Sequence, residues 1–324
     1  MFTDKNILIG LSGSKKLTNL IAKQLKTNQA KVLIKHFADG ETLVRPEVPV
    51  RQKNVFIVQA TSKPVNENIM ELLIAIDACK RASAKTINII IPYYGYARQD
   101  RKSLGREPIT SKLVADLIVK AGATRVCIVD VHAEQIQGFF EIPVDTISAS
   151  YMLMGAILTA NAKKNTIIVS PDYGGVKRAR RLNVEYNLPM AILDKRRPRP
   201  NVAEIVNVLG NVKNKNCIII DDIIDTGGTI IAACGILKKH GAKKVIVGAS
   251  HGVFSNDAVN KFNQAIKRKI IDQIFVSNTI DNVYNLKIRN LKIVDIAKFL
   301  AEIIQVYTLT SSGSISKIYS KTKH

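Results

Sequence analysis

The residues best suited to chemistry stand in the stretch Ile218-Ile219-Ile220-Asp221-Asp222-Ile223-Ile224-Asp225-Thr226-Gly227-Gly228-Thr229. An apolar, β-branched run stops at two carboxylates, and a short Thr/Gly loop leads into a periodic segment from Ile230 to Lys239. That order predicts strand, loop, helix. Glycines let a backbone come close to an anion, and a helix that starts beside them points its free amides and positive dipole end at it. Asp221 and Asp222, at the carboxyl edge of the strand, could accept hydrogen bonds from sugar hydroxyls or hold a metal through water. A carboxylate pair followed by a phosphate cradle suits a sugar phosphate. The triphosphate-binding pattern G-x-x-x-x-G-K-[ST] does not occur in the chain. D-x-x-D-T-G-G could also be an ordinary strand-to-helix turn, but such a turn has no need of three aspartates and two adjacent glycines.

A second candidate is Lys195-Arg196-Arg197-Pro198-Arg199-Pro200, cationic and broken by prolines, with no core-facing periodicity. It reads as a loop able to close over bound phosphates, or as a solvated charge run.

These segments need a scaffold to position them. Apolar strand-like runs alternate with helix-length periodic segments along most of the chain, which predicts an α/β fold with mainly parallel sheets. With 324 residues, 46% of them hydrophobic, the chain can build cores for about two domains. An internal echo supports two copies of one domain. Ala121-Gly122-Ala123-Thr124-Arg125 through His132 matches His240-Gly241-Ala242-Lys243-Lys244 through His251, and Ile89-Ile90-Ile91-Pro92 matches Ile218-Ile219-Ile220-Asp221. In this register Tyr93–Arg101 of the first copy replaces the phosphate loop of the second. The segment Asn68–Ala82 is apolar nearly all round, which predicts a helix buried on more than one side, in a core or at a subunit interface.

Composition narrows the function classes. The net charge of +22 suits either a nucleic-acid surface or phosphate-rich substrates on a lysine-rich background. The lysines are scattered along the chain and not interleaved with aromatics, so no specific nucleic-acid role is expected. No apolar stretch approaches the roughly 18 residues of a membrane span. The first residues read as a strand, not a secretion signal, and the four cysteines show no C-x-x-C spacing. Reduced, buried thiols in a cytoplasmic protein are the expectation.

Further motifs carry a family resemblance. Phe37-Ala38-Asp39-Gly40-Glu41, Tyr96-Ala97-Arg98-Gln99-Asp100-Arg101-Lys102, Asp130-Val131-His132-Ala133-Glu134, Ser170-Pro171-Asp172-Tyr173-Gly174-Gly175 and Asp194-Lys195-Arg196-Arg197-Pro198 occur in this order with the phosphate loop. The chain resembles the ribose-phosphate diphosphokinases (phosphoribosyl pyrophosphate synthetases) of the phosphate-regulated bacterial and animal class, from about Lys31 to Thr279. The resemblance implies two duplicated phosphoribosyltransferase-like (type I) domains: 1–150, with a degenerate phosphate loop and the ATP contacts, and 151–324, with the ribose 5-phosphate loop and a catalytic flexible loop. It implies transfer of diphosphate from MgATP to the 1-hydroxyl of ribose 5-phosphate. Lys195 and Arg197 become the catalytic cations, Arg197 also touching ribose 5-phosphate. Asp221, Asp222, Asp225, Thr226, Gly227, Gly228 and Thr229 hold the sugar phosphate. Phe37, Asp39, Gly40, Glu41, Arg98 and Gln99 bind ATP, the Phe37–Glu41 turn coming from a neighbouring subunit. His132 and Asp172 contact Mg2+, although on residue type alone His132 reads as a hydrogen-bonded histidine, since magnesium prefers oxygen. Tyr173 stands where the family more often has His. The resemblance also implies a homo-oligomer of dimers, assembled as a hexamer with a shared ATP site.

Ser314-Ile315-Ser316 resembles the family's short serine motif for regulatory phosphate or nucleoside diphosphate, after a segment longer than the family's. Two alternatives fit less well. A catalytically silent regulatory relative would have lost the phosphate loop or the Lys-Arg segment, and both are present. A phosphoribosyltransferase would need one catalytic domain with a base-binding hood, against the duplication and Arg98-Gln99.

Overall fold

The computed structural model describes residues 2–161, 163–199, 202–308, 314–315 and 318, the side chains of 195–206 excepted. The chain folds as two compact units: residues 2–148 with 279–281 and 295–308, and residues 149–278 with 282–294.

In the first unit β1 (Asn6–Gly10) leads into α1 (Lys15–Leu25), and a hairpin of β2 (Val32–His36) and β3 (Thr42–Pro46) comes next. Then come β4 (Asn54–Val58), α2 (Val65–Arg81), β5 (Thr86–Ile91), α3 (Thr110–Ala121), β6 (Arg125–Val129) and β7 (Val144–Ile147). The strands β1-β4-β5-β6-β7 form one parallel sheet in that order, while β2 and β3 pair with each other. Central strands such as β4 and β5 are buried on both faces, which is why Val55–Val58 and Ile89–Ile91 read as apolar runs instead of alternating.

The second unit contains α4 (Ser150–Ala160), β8 (Thr166–Ser170), α5 (Val176–Tyr186), the antiparallel pair β9 (Met190–Arg199) and β10 (Val202–Leu209), β11 (Asn216–Ile224), α6 (Gly228–Lys239), β12 (Lys244–Gly252), α7 (Ala258–Lys267), β13 (Gln273–Ser277) and β14 (Leu291–Val294). Its sheet runs β10-β9-β8-β11-β12-β13-β14. The order β8-β11-β12-β13-β14 repeats β1-β4-β5-β6-β7, with a hairpin inserted after the first helix in both.

The duplication therefore exists, but its register is one strand away from the sequence echo. β4 corresponds to β11 and β5 to β12. The backbone bonds agree: Gln52 N–H donates to Ser83 and Lys85 N–H to Lys53, as Asn214 N–H donates to Gly241 and Lys243 N–H to Lys215, all at 2.8 Å. The counterpart of the phosphate loop is thus the segment between β4 and α2, not Tyr93–Arg101, which comes after β5. His132 and His251 are not equivalent either, since His132 stands after β6 and His251 lies within β12. The physical source of the slip is that the same left-handed helix end recurs before several strands of this fold. After α2, α3, α6 and α7 a left-handed residue (Ser83, Gly122, Gly241, Lys269) returns its N–H to the last turn.

The last helix, α8 (Ala297–Thr308), packs on α1 in the first unit, so a plain division into 1–150 and 151–324 does not describe the packing. α8 buries Phe299, Leu300, Ile303 and Ile304 there. Tyr307 donates to Asp145 Oδ2 at 2.6 Å and stacks under Arg125, which pairs with the same carboxylate at 3.0 Å. Asp281 joins this unit because its carboxylate accepts the Lys16 and Leu17 amides at the start of α1, at 2.6 and 3.1 Å. α2 is not closed on all sides: Leu72 and Ile76 are buried while Met70 is 53% exposed, and Leu113 and Leu117 of neighbouring α3 are exposed as well.

Where the second unit carries Asp221, the first carries Gln59, each just past the run of its central strand. Gln59 is buried and accepts the Gly13 N–H at 2.9 Å while donating to Glu71 and Asn68, each at 3.2 Å. Glu71 also accepts the Ser12 N–H at 2.7 Å. The degenerate loop is filled by its own polar network. Gln59→Leu keeps the volume but strands the Gly13 amide and removes one of the two donors to the buried Glu71 carboxylate, and should lower unfolding free energy by about 2 kcal/mol. Urea denaturation checks this, and an unchanged midpoint would show the network to be dispensable.

Candidate active site

The chain leaves buried β11 through four residues with fully inaccessible side chains, Cys217 to Ile220, and then places two carboxylates at the sheet edge. Their partner was not anticipated from sequence. Arg178, on α5, donates Nη1 to Asp221 Oδ1 at 2.8 Å and reaches Asp222 Oδ1 with Nη2 at 3.1 Å. The Asp222 N–H also donates to Asp221 Oδ1, at 2.9 Å. Nothing in the run Lys177-Arg178-Ala179-Arg180-Arg181 singles out the second residue; only the packing of α5 on β8 and β11 selects it. Burial and the neighbouring Asp222 charge push the Asp221 carboxyl up to about 7, and Arg178 opposes them.

The Thr/Gly loop beyond them is built for a close approach. Gly227 has φ +78°, a left-handed conformation, and a Cβ there would stand 2.5 Å from the Phe262 ring. Gly228 opens α6, and a Cβ on it would meet nothing within 4 Å. Among the described residues the first turn of α6 has no side-chain cap and no acidic group, so its amides are available to an anion. Thr226, Gly228 and Thr229 are exposed and Asp225 is half-buried. The base of the loop is tied to the sheet by the Val253 and Phe254 amides donating to the Ile224 carbonyl. The whole set from Asp221 to Thr229 thus comes together, as the spacing predicted.

The other expected residues lie on several elements. Asp172 stands just past β8 at the same sheet edge, and its Oδ1 accepts the Gly175 N–H at 3.0 Å, shaping the turn into α5. Phe37, Asp39, Gly40 and Glu41 form the exposed tip of the β2–β3 hairpin, closed by the Phe37 N–H to Glu41 carbonyl bond at 2.8 Å. Lys35 lies over the Phe37 ring at 4.8 Å. Arg98 and Gln99 are exposed on the segment after β5, where Gln99 accepts Thr110 Oγ1 at 2.6 Å. His132 is exposed after β6. The backbone of Lys195 and Arg197 belongs to β9, paired with β10, and not to an irregular loop; their side chains lie outside the described residues. Pro198 is tolerated there because β9 pairs with β8 only from Met190 to Ile192, leaving one side of its later residues without a ladder to break. Ser316 of the serine motif also lies outside the described residues.

Among the described residues no group of three His, Cys, Asp or Glu could cage a metal. Magnesium needs no such cage, since it keeps most of its waters and takes one or two carboxylates with substrate phosphates, and the Asp172 carboxylate at the sheet edge is of the type it would use.

Comparisons with known proteins place the chain in a family. Residues 6–122 match the N-terminal domain of ribose phosphate pyrophosphokinase, and residues 170–319 match the phosphoribosyl synthetase-associated domain. The chain is 52% identical to the ribose-phosphate pyrophosphokinase of Mycoplasma genitalium, over 98% of this chain and 95% of that protein. The chain belongs to the ribose-phosphate pyrophosphokinase family. The ribose-phosphate pyrophosphokinase 1 of Listeria monocytogenes is 47% identical over 97% of this chain and 98% of its own. The phosphoribosylpyrophosphate synthetase structure from Mycobacterium smegmatis superposes with a TM-score of 0.86 at 39% identity, covering 94% of this chain and 98% of that one. The chain is an enzyme, a transferase of nucleotide biosynthesis, built on a duplicated α/β unit. Among the described residues no helix is long and apolar enough to cross a membrane.

Gly227→Ala should destabilise by about 2 kcal/mol through its left-handed backbone alone, whereas Gly228→Ala should stay within about 0.5 kcal/mol of wild type; urea denaturation of both variants decides it. Because the folded Asp221 carboxyl holds its proton to about pH 7 and the unfolded one only to about 4, the folded state binds more protons in that window, and this group makes stability fall as pH rises. The stability of Asp221→Asn relative to wild type should therefore rise from pH ~4 to ~7; a flat difference in thermal midpoint across that range would contradict the assignment.

Proposed function

We propose that the enzyme transfers diphosphate from MgATP to the 1-hydroxyl of ribose 5-phosphate, giving 5-phospho-α-D-ribose 1-diphosphate and AMP. The observation that carries this reading is the uncapped start of α6 beside the Arg178-held carboxylate pair, a cradle suited to one sugar phosphate. The amides and hydroxyls of Asp225–Thr229 take the 5-phosphate. Asp221 and Asp222 accept the ribose hydroxyls, and Arg178 fixes their orientation. The sugar is thereby held for in-line attack: its 1-oxygen bonds to the β-phosphorus as the bond from that phosphorus to the oxygen bridging the α-phosphate breaks. Phosphoryl transfer asks the protein for positioning and charge stabilisation more than for covalent chemistry.

Lys195 and Arg197 supply positive charge to the group in flight, and Arg197 also reaches the sugar phosphate. Arg98 and Gln99 bind ATP together with Phe37, Asp39, Gly40 and Glu41 of a neighbouring subunit. The exposure of that hairpin tip supports its use outside its own protomer. Magnesium, held by Asp172 and His132 with waters, would neutralise charge on the diphosphate. Exposed Met70, Leu113 and Leu117 support a homo-oligomer of dimers, assembled as a hexamer.

AMP and phosphoribosyl diphosphate formation from ATP, ribose 5-phosphate and magnesium tests the proposal. Wild type should form both, and Lys195→Ala should lose about 10²-fold or more in kcat, as expected for removal of one electrostatic donor. A folded, oligomeric wild type that makes no product, with and without added phosphate, would overturn the reading in favour of a regulatory subunit.

A further inference from the structure

The second unit has two chemically opposite sheet edges. At the carboxyl edge, the loops leaving β8, β11 and β12 carry Asp172, Asp225 and Asp257 and contain no lysine or arginine. At the amino edge, each loop entering β8, β11, β12, β13 and β14 brings an exposed cation: Lys164, Lys213, Lys243, Lys269 and Arg289 are one from each. The acid at this edge is Asp272, and Lys238 Nζ at 2.8 Å and the Val245 amide already occupy it. A lysine-rich composition would load both edges alike, so composition does not explain the segregation.

At the centre of the basic edge Asn161, Lys164, Asn165, Asn216, Lys243 and Lys244 line a pocket of about 270 Å³. Asn216 Oδ1 is buried there and accepts no hydrogen bond among the described residues. The first unit offers the contrast. Asn54 holds the same place at the start of β4, and its Oδ1 accepts the Thr86 hydroxyl at 3.0 Å. Thr86 pairs with Asn54 across the strands, as Lys244 pairs with Asn216. In the second unit a hydroxyl donor has been exchanged for a cation, leaving a buried acceptor among lysines. Such a site wants a ligand that brings anionic oxygens and a hydroxyl donor together.

We propose that this edge binds RNA through its ribose-phosphate backbone, with the Lys164–Lys243–Lys244 pocket seating a phosphate and Asn216 accepting a ribose 2′-hydroxyl. Phosphate contacts by lysine supply affinity, and the 2′-hydroxyl separates RNA from DNA. The residues just before each strand (161–165, 210–215, 240–243, 268–272 and 286–290) contain no Phe, Tyr or Trp, so recognition is of backbone and not of stacked bases. They also present no large exposed apolar side chain for insertion into a lipid surface. This edge lies opposite the phosphate loop, so the activity is independent of the diphosphokinase reaction.

Fluorescence anisotropy with a labelled single-stranded RNA of mixed sequence, its DNA equivalent and anionic vesicles, using the intact protein across a salt series, tests this. RNA should bind in about 0.1 M salt and more tightly than DNA, with log K falling linearly in log salt. The triple variant Lys164→Glu/Lys243→Glu/Lys244→Glu should weaken RNA binding at least tenfold and flatten the salt slope by about 0.7, the value for one lost phosphate contact on a single strand. Asn216→Ala should narrow the difference between RNA and DNA. Thermal unfolding of each variant checks that it is folded. No RNA binding, an unaltered slope in the folded triple variant, equal binding of RNA and DNA, or binding to vesicles alone would each overturn the proposal.

Discussion

In a parallel sheet every strand must begin at one edge and end at the other, and every connection must travel back between them. This single constraint organises the molecule. The loops that leave β8 and β11 are released at the same edge, which brings Asp172 beside the Asp221–Thr229 loop without any local sequence relation between them. The helix after each strand starts at that edge too, so its uncapped amides and dipole face whatever binds there. The return loops are free of that task. In the second unit they carry helix caps and lysines instead.

The two units show how one topology supports a binding loop or a structural one. Strand order, hairpin position and the backbone bonds at the helix-to-strand joints are repeated. The difference lies in the residues just past the central strand. Asp221 and Asp222 meet Arg178 and remain at an accessible edge, whereas Gln59 turns inward to Gly13, Asn68 and Glu71 and satisfies itself. An amide network that is fully paired is inert, while a carboxylate pair held by one arginine can exchange partners with a ligand's hydroxyls. Each unit is also completed by a helix that comes after the other's last strand: α4 after β7, and α8 after β14. In the first unit this leaves the contact of α8 with α1, and the Tyr307–Asp145–Arg125 cluster, to be formed after the rest of the chain has been laid down.

Glycine usage illustrates how a local motif and a distant contact share responsibility. The pair Gly227-Gly228 reads in sequence as one signal for close backbone approach. In the structure the two residues have separate reasons. Gly227 is forced by its left-handed backbone and by the Phe262 ring, while Gly228 leaves space on the side where a phosphate would sit. Phe262 belongs to α7, and no reading of the loop alone could have named it.

The amino-acid order by itself determined the features that depend on neighbours along the chain. The strand, loop and helix from Ile218 to Lys239, the α/β alternation and the family motifs all arise from local backbone preferences and short spacings. Contacts between residues distant in sequence were left to the tertiary structure. It selected Arg178 from a run of four cations, put Lys195 and Arg197 on a strand arm and joined α8 to the first unit. It also set the register of the duplication, which sequence could not, because the same capped helix end recurs before several strands and looks alike each time. In the second unit Lys164, Lys213, Lys243 and Lys269, far apart in sequence, share one edge for a related reason: parallel strands return to that edge at intervals set by helix length, not by any spacing in the charge pattern.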